Sequence, residues 1–108
     1  MTGSDDRDYR VGWKRTAIER LATLYNINPE RVYDTAIVML SRPYSNSKGV
    51  ANYPDFKFNG FHWTEIGNVI VVYKINEAHK IVSIHAVFSA LTGLALKKFY
   101  GEYDPMDD

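Results

Sequence analysis

Gly67-Asn68-Val69-Ile70-Val71-Val72-Tyr73-Lys74-Ile75-Asn76, followed after a short gap by Ile81-Val82-Ser83-Ile84-His85-Ala86-Val87-Phe88, is the stretch that decides the fold. Gly67-Asn68 is a two-residue hairpin signal, because both residue types tolerate positive φ. Val69 to Ile75 is a β-branched run of the kind found in buried strands. Glu77 to Lys80 predicts a four-residue loop, and Ile81 to Phe88 the strand that returns from it. Before the turn, Phe56 to Glu65 is dense in aromatics and alternates in its early part, which predicts a further strand. The three segments together make an antiparallel meander.

Working back toward the N-terminus, Asn28-Pro29-Glu30 marks a helix start: Asn as cap, Pro at the first helical position, an acid in the first turn. Val32, Ala36, Met39 and Leu40 carry that helix until Pro43 stops it. Thr16-Ala17-Ile18-Glu19 has capping-box spacing, and Ile18, Leu21, Ala22 and Tyr25 give the helix after it an apolar face. Tyr9, Val11 and Trp13 alternate with Arg10 and Gly12, predicting a short first strand. Ser41 to Asp55, rich in Ser, Asn, Pro and Gly, reads as an exposed loop. Leu91 to Tyr100 reads as a terminal helix with Gly101 as its stop. The expected class is therefore α+β: a short N-terminal strand, a two-helix hairpin, a three-stranded antiparallel meander and a C-terminal helix. Residues 1–8 are expected to be a disordered N-terminus, 9–101 a single domain, and 102–108 an acidic tail.

Composition narrows the function classes. With 108 residues there is room for one domain, and with no cysteine there is neither a disulfide nor a thiolate metal site. The N-terminus lacks a basic n-region and an apolar h-region, so no signal peptide is expected. The longest apolar run is too short to cross a bilayer. A cytoplasmic protein with no membrane partner is the expectation. Thirteen basic and thirteen acidic residues cancel, but unevenly. Between Lys48 and Lys98 six lysines and three histidines face three acids, whereas Asp5, Asp6 and Asp8 and Glu102, Asp104, Asp107 and Asp108 crowd the two ends. No P-loop, dinucleotide fingerprint, H-E-x-x-H or G-x-S-x-G is present, and the three histidines lack ligand-like spacing. No metal or cofactor is expected.

Register brings the chemistry-bearing residues together. Pairing Asn76 with Ile81 sets Lys74 opposite Ser83 and Val72 opposite His85. Turning at Gly67-Asn68 sets Glu65 opposite Ile70, Trp63 opposite Val72 and Phe61 opposite Lys74. One face then carries Lys57, Asn59, Phe61, Trp63, Glu65, Lys74, Ser83 and His85. The other carries Phe56, Phe58, Val71, Tyr73, Ile75, Val82, Ile84 and Phe88, packed under the helices. The first set suits RNA. Lysines hold phosphates, Trp63 or Phe61 stacks a base, and Glu65 and His85 exchange protons. Plainer readings stand beside these: His85 as a surface histidine, Glu65 as a solvated acid, and Trp63 as a residue covered by the terminal helix.

The two quoted strands, Gly67 to Ile75 and Ile81 to Val87, resemble those of the RelE/ParE toxin superfamily. Trp13, Tyr25-Asn26-Ile27-Asn28-Pro29-Glu30, and the ending Ala90-Leu91-Thr92 through Lys97-Lys98-Phe99-Tyr100 resemble its BrnT-like branch. The resemblance implies the toxin of a bacterial toxin–antitoxin pair, with an antitoxin as partner and mRNA or the ribosome as target. Cleavage would be metal-free, with His85, Glu65 and Lys57 catalytic and Trp63, Phe61 and Lys74 binding substrate. The sequence departs from the pattern where mRNA-cutting members carry arginines on the last two strands. Ile70 and Ala90 stand at the equivalent positions, and Lys57 takes the place of a basic residue on the preceding strand. The alternative is a non-catalytic, protein-binding inhibitor on the same fold, of the gyrase-poisoning type or encoded by a phage.

Overall fold

A two-residue turn and a one-residue bulge organise the sheet. The computed structural model describes residues 8–92, 95, 98 and 99. In chain order the elements are β1 (Arg10–Trp13), α1 (Arg15–Thr23), α2 (Pro29–Met39), β2 (Gly49–Val50), β3 (His62–Ile66), β4 (Val69–Asn76) and β5 (Ile81–Ser89). The five strands form one sheet in the order β1-β5-β4-β3-β2. β1 runs parallel to β5, and the other neighbours are antiparallel. The protein is α+β, as the patterning predicts.

Gly67 and Asn68 both take positive φ, +53° and +66°, which gives a tight hairpin whose twist matches its strands. Glu65 then faces Ile70 and Trp63 faces Val72, the predicted register. At the other end of β4, Asn76 pairs with Ile81 and Lys74 with Ser83, again as predicted. Between Val72 and Tyr73 the register shifts: Tyr73 pairs with Ile84, but Val72 pairs with Ala86 rather than His85. His85 is the extra residue of a β-bulge.

That bulge corrects the predicted sorting of faces. Beyond an extra residue the alternation changes parity. Val87 therefore joins Val71, Tyr73, Val82 and Ile84 beneath the helices, while Phe88 turns to the opposite face. There it meets Phe56 and Phe58, also expected under the helices, and with Trp63, Ile70, Val72, Ala51, Ala95 and Phe99 they build a second apolar layer. The sheet is thus apolar on both faces, and Val69 to Tyr73 are fully buried, as a continuous β-branched run in a central strand requires.

Three local expectations change. Lys14, not Thr16, caps α1, and no side chain closes the cap. The reason is that the Lys14 N–H donates to the Ile84 carbonyl at 2.9 Å, so sheet pairing holds the chain straight up to the first helical residue. The buried face of α1 is Ala17 and Leu21, leaving Tyr25 almost wholly exposed. Phe56 to Phe61 is not strand. Tyr53 and Asn59 exchange two hydrogen bonds (2.8 and 2.6 Å), Asp55 and Gly60 take positive φ, and the Gly60 N–H donates to the Ala51 carbonyl. This closed loop lays Phe56 and Phe58 across the second face. Finally, the Ser41 to Asp55 loop is partly internal: it contains β2, buries Pro43 and Ala51, and its Pro43 carbonyl accepts from the Tyr73 hydroxyl at 2.6 Å.

The α2 start is as predicted, with the Asn28 side chain accepting from the Arg31 N–H at 3.2 Å. The disordered N-terminus (1–7 of it), the acidic tail and most of the expected terminal helix lie outside the described residues. Ala95 and Phe99 of that last segment are buried against the second face. Among the described residues, no helix is long and apolar enough to cross a membrane.

Trp63 is 4% exposed and anchors the second layer. Trp63→Ala is expected to lower stability by about 3–5 kcal/mol, as large-to-small core changes of aromatics do. Tyr25→Ala, at a position 92% exposed, is expected to change it by less than about 0.5 kcal/mol. Urea unfolding of the two variants checks both.

Candidate functional site

The bulge does more than switch parity, because it leaves His85 half-buried at the rim of the second face. Its ring stands edge-on to Phe61 with centroids 4.9 Å apart. Lys74, next along β4, holds its ammonium 5.8 Å from the centre of the same Phe61 ring. A shallow groove of about 290 Å³ opens beside this trio, lined among others by Thr16, Arg20, Lys57, Phe58, His85 and Phe88. Lys57 lies over Phe58 at 5.1 Å, so the closed loop delivers a cation and an aromatic wall to the groove together. Lys14 enters from the β1–α1 junction. Since Trp13 pairs with Ile84, the next residue along β1 falls level with His85.

Two cations, Lys14 and Lys74, therefore act on the imidazole, and two more, Arg20 and Lys57, line the groove it opens into. Among the described residues no carboxylate pairs with any of them. Burial holds the His85 pKa below its ordinary value, and the positive charges of Lys14 and Lys74 push it further down. At neutral pH His85 is an uncharged base in a positive setting. Such an arrangement attracts an anion and can accept a proton beside it. Among the described residues no cluster of three or more His, Cys, Asp or Glu is placed to hold a metal ion.

Of the six residues singled out in the sequence, the structure brings His85, Phe61, Lys74 and Lys57 into one region. It does not bring the other two there. Glu65 lies beside the Gly67-Asn68 turn and lines a different groove with Asn28, Arg31 and Thr35 of the α2 start. From the pairing it is displaced from His85 by ~10 Å along the strands and ~10 Å across two strand spacings. Trp63 has no free ring face to offer: it is packed against Phe99 at 5.4 Å and roofed by the Ala51 segment. Its alternative reading, as a residue covered by the C-terminal segment, is the one that matches. Lys14 and Arg20 were not singled out. Only the parallel pairing of β1 with β5 brings them to the groove, and nothing in either segment taken alone announces that pairing.

A second histidine has a structural setting. His62 stacks on Tyr73 (5.8 Å), meets the Tyr44 ring edge-on (5.6 Å), and keeps Nδ1 2.9 Å from the Ser47 hydroxyl. Tyr44 in turn donates its hydroxyl proton to the Glu77 carboxylate. The cluster ties the loop after α2 to the β4–β5 hairpin, and burial lowers the His62 pKa.

No protein-family model matches the chain, and no curated protein matches it. Solved structures do. One is the toxin–antitoxin complex RelBE2 of Mycobacterium tuberculosis, with a TM-score of 0.59 and 25% identity, covering 77% of this chain and 92% of that one. The archaeal RelE–RelB complex of Pyrococcus horikoshii matches at 0.57 and 16%, covering 80% and 99%. A free-state mutant of the Escherichia coli toxin RelE, with two arginines replaced by alanine, matches at 0.54 and 15%, covering 87% and 96%. The chain has the fold of these RelE structures, as the strand pattern led one to expect.

Both shifted histidines have pKa values below 6.5 in the folded chain, so the unfolded chain binds more protons just below that pH. Stability is expected to be full above about pH 6.5 and to fall as pH drops through the folded values. In the double variant His62→Gln/His85→Gln the urea midpoint should fall less between pH 7.5 and 5 than in the parent.

Proposed function

We propose that this protein is the toxin of a bacterial toxin–antitoxin pair and that it cleaves RNA in the groove beside His85. The observation that carries the reading is the imidazole held against Phe61 under the charges of Lys14 and Lys74, at a groove lined by Arg20 and Lys57. The RelE toxins that share the fold support the toxin half of the proposal. Two of the similar structures are complexes with a RelB-type antitoxin, which supports an antitoxin partner here.

The chemistry follows from the groups present. Neutral His85 takes the proton from a ribose 2′-hydroxyl, and the 2′-oxygen bonds to the adjacent phosphorus. The bond from phosphorus to the 5′-oxygen breaks, leaving a 2′,3′-cyclic phosphate. Lys57 protonates the departing 5′-oxygen; the proton on His85 then passes to solvent, and Lys57 regains one from solvent. Lys14 and Lys74 offset the charge that builds on the phosphorane oxygens. Phe61 orients the imidazole and offers a face to a base. Glu65 has no part in this scheme, and Trp63 acts through stability alone.

A second reading, a protein-binding inhibitor without catalysis, is favoured by two observations. β4 and β5 contain no arginine, and Ile37 and Val38 of α2 expose apolar surface (36% and 73%). Protein interfaces often use such surface.

Induced expression in a bacterial host, with mapping of mRNA 5′ ends, tests the choice. The nuclease reading expects growth arrest with new, position-specific ends. His85→Gln should lower cleavage about 100-fold or more, as loss of a general base does, while Glu65→Gln leaves it unchanged. In vitro cleavage should be full at pH 7 and decline only below about pH 6.5, because His85 titrates below its ordinary value. Growth arrest with intact mRNA would instead establish the inhibitor reading.

A further inference from the structure

We propose that the notch between Tyr44 and the β4–β5 hairpin, beside the groove at His85, reads a guanine base next to the scissile phosphate, with Glu77 as the group that selects it. The cleavage step rests on the reading above; the recognition of guanine does not.

The notch exists because β3 stops short. Its pairing with β4 begins at His62 and Tyr73, whereas β4 and β5 stay paired out to Asn76 and Ile81. Beyond Tyr73, no described strand residue stands beside β4 on its β3 side. The Ala51 N–H donates to the Phe61 carbonyl, so Phe61 turns its backbone toward β2 and His62, next in line, toward β4. Tyr73 answers His62, and by the same alternation Ile75 presents its N–H and C=O to the gap. A groove of about 480 Å³ occupies this gap, lined by Tyr44, Lys74, Ile75, Asn76, Glu77 and Ser83.

Those groups are polar, and their arrangement is selective. Tyr44 donates its hydroxyl proton to one oxygen of the Glu77 carboxylate. The Tyr44 ring is itself set edge-on to Tyr9 (6.4 Å) and His62 (5.6 Å), so the carboxylate is held in place. The Asn76 side-chain oxygen takes the His79 N–H at 3.1 Å, which leaves its NH2 to offer a ligand. Ser83, opposite Lys74, adds a hydroxyl. A carboxylate only accepts, and it has room for two donors beside the tyrosine proton. Of the four RNA bases, guanine alone carries two donors side by side, N1–H and the N2 amino group, with the acceptor O6 next to them. The two donors fit Glu77, and O6 fits the Asn76 amide or the Ser83 hydroxyl. Adenine and cytosine bring the carboxylate one amino group, and uracil one N–H flanked by oxygens that repel it. Single-stranded RNA is read on such edges.

Lys74 joins the notch to the groove at His85. It lines the notch, holds its ammonium 5.8 Å from the centre of the Phe61 ring, and acts on His85 through its charge. Ser83 lies two residues from His85 on β5, ~7 Å along the strand. One nucleotide spans that distance. An RNA with its phosphate at His85 therefore sets a neighbouring base in the notch and keeps Lys74 on the backbone between them.

Two measurements on the full chain separate recognition from cleavage. In the first, isotope-labelled protein is titrated with each of the four ribonucleoside 5′-monophosphates and followed by amide NMR shifts. Guanosine monophosphate is expected to bind on the order of 10-fold more tightly than the other three and to shift Ile75, Asn76, Glu77 and Ser83. Glu77→Gln, which keeps an oxygen for the Tyr44 proton, is expected to bring its affinity down to theirs. In the second, a pool of 12-nucleotide RNAs of random sequence is cut and the ends are read. The parent is expected to leave guanine at one fixed position beside the cut, and Glu77→Gln to cut without that preference. Equal binding of the four monophosphates overturns the proposal, as do shifts confined to residues away from the hairpin. So does cleavage with no guanine beside the cut, or a guanine preference that survives Glu77→Gln. Guanosine monophosphate bound in the notch of a chain that cuts no RNA upholds the recognition and removes the cleavage reading instead.

Discussion

One extra residue in β5 is the constraint on which the rest depends. Without it, strict alternation from Val82 would carry Phe88 beneath the helices and leave Val87 on the opposite face. With His85 bulged, the small β-branched side chain fills the helix-side core, and the large aromatic goes where Phe56, Phe58 and Phe99 can meet it. The second apolar layer exists because of this switch, and so does the groove at its margin. A bulge also frees its own residue from the ladder, which is why His85 reaches the rim rather than pairing with Val72. Packing and chemistry share a single cause here.

The electrostatics are unusual in their lack of balance. In a neutral protein, lysine and arginine are usually near acids, and exposed pairs of this kind contribute little. Around His85 the cations Lys14 and Lys74 instead act together, while Glu65 sits at the far turn and Glu77, which shares a groove with Lys74, is bound to Tyr44. Keeping like charges together costs stability, and a binding site recovers that cost when an anion arrives. The uncharged imidazole limits the cost in the free protein, since a protonated His85 would add a further positive charge to the cluster.

Much of the fold was legible in the sequence because local chemistry forces it. Asn28-Pro29 starts α2, Gly67-Asn68 turns the hairpin, and Val69 to Tyr73 can only be an interior strand. What was not legible depended on non-local pairing or on an irregularity. Periodicity has no means of announcing a bulge, so alternation alone puts Phe88 on the wrong face. The aromatics of Phe56 to Phe61 mimic a strand, although Asn59 and Gly60 close them into a loop. At the site, His85, Phe61, Lys57 and Lys74 could be gathered by register alone. Lys14 and Arg20 could not, since they arrive through β1 lying parallel to a strand about 70 residues later. For Trp63 the limit is simpler: register gives its face, and only the Ala51 and Phe99 segments reveal that the face is covered.

That parallel pairing also has a meaning in time. β1 is made first, but its partner backbone, from Lys80 to Ile84, is among the last of the sheet to leave the ribosome. Contacts so distant in sequence form late, after the local hairpins. Until they form, Lys14 and Arg20 have no fixed relation to His85, and the groove is incomplete. A chain still being synthesised therefore lacks the complete groove, which assembles only when the sheet closes.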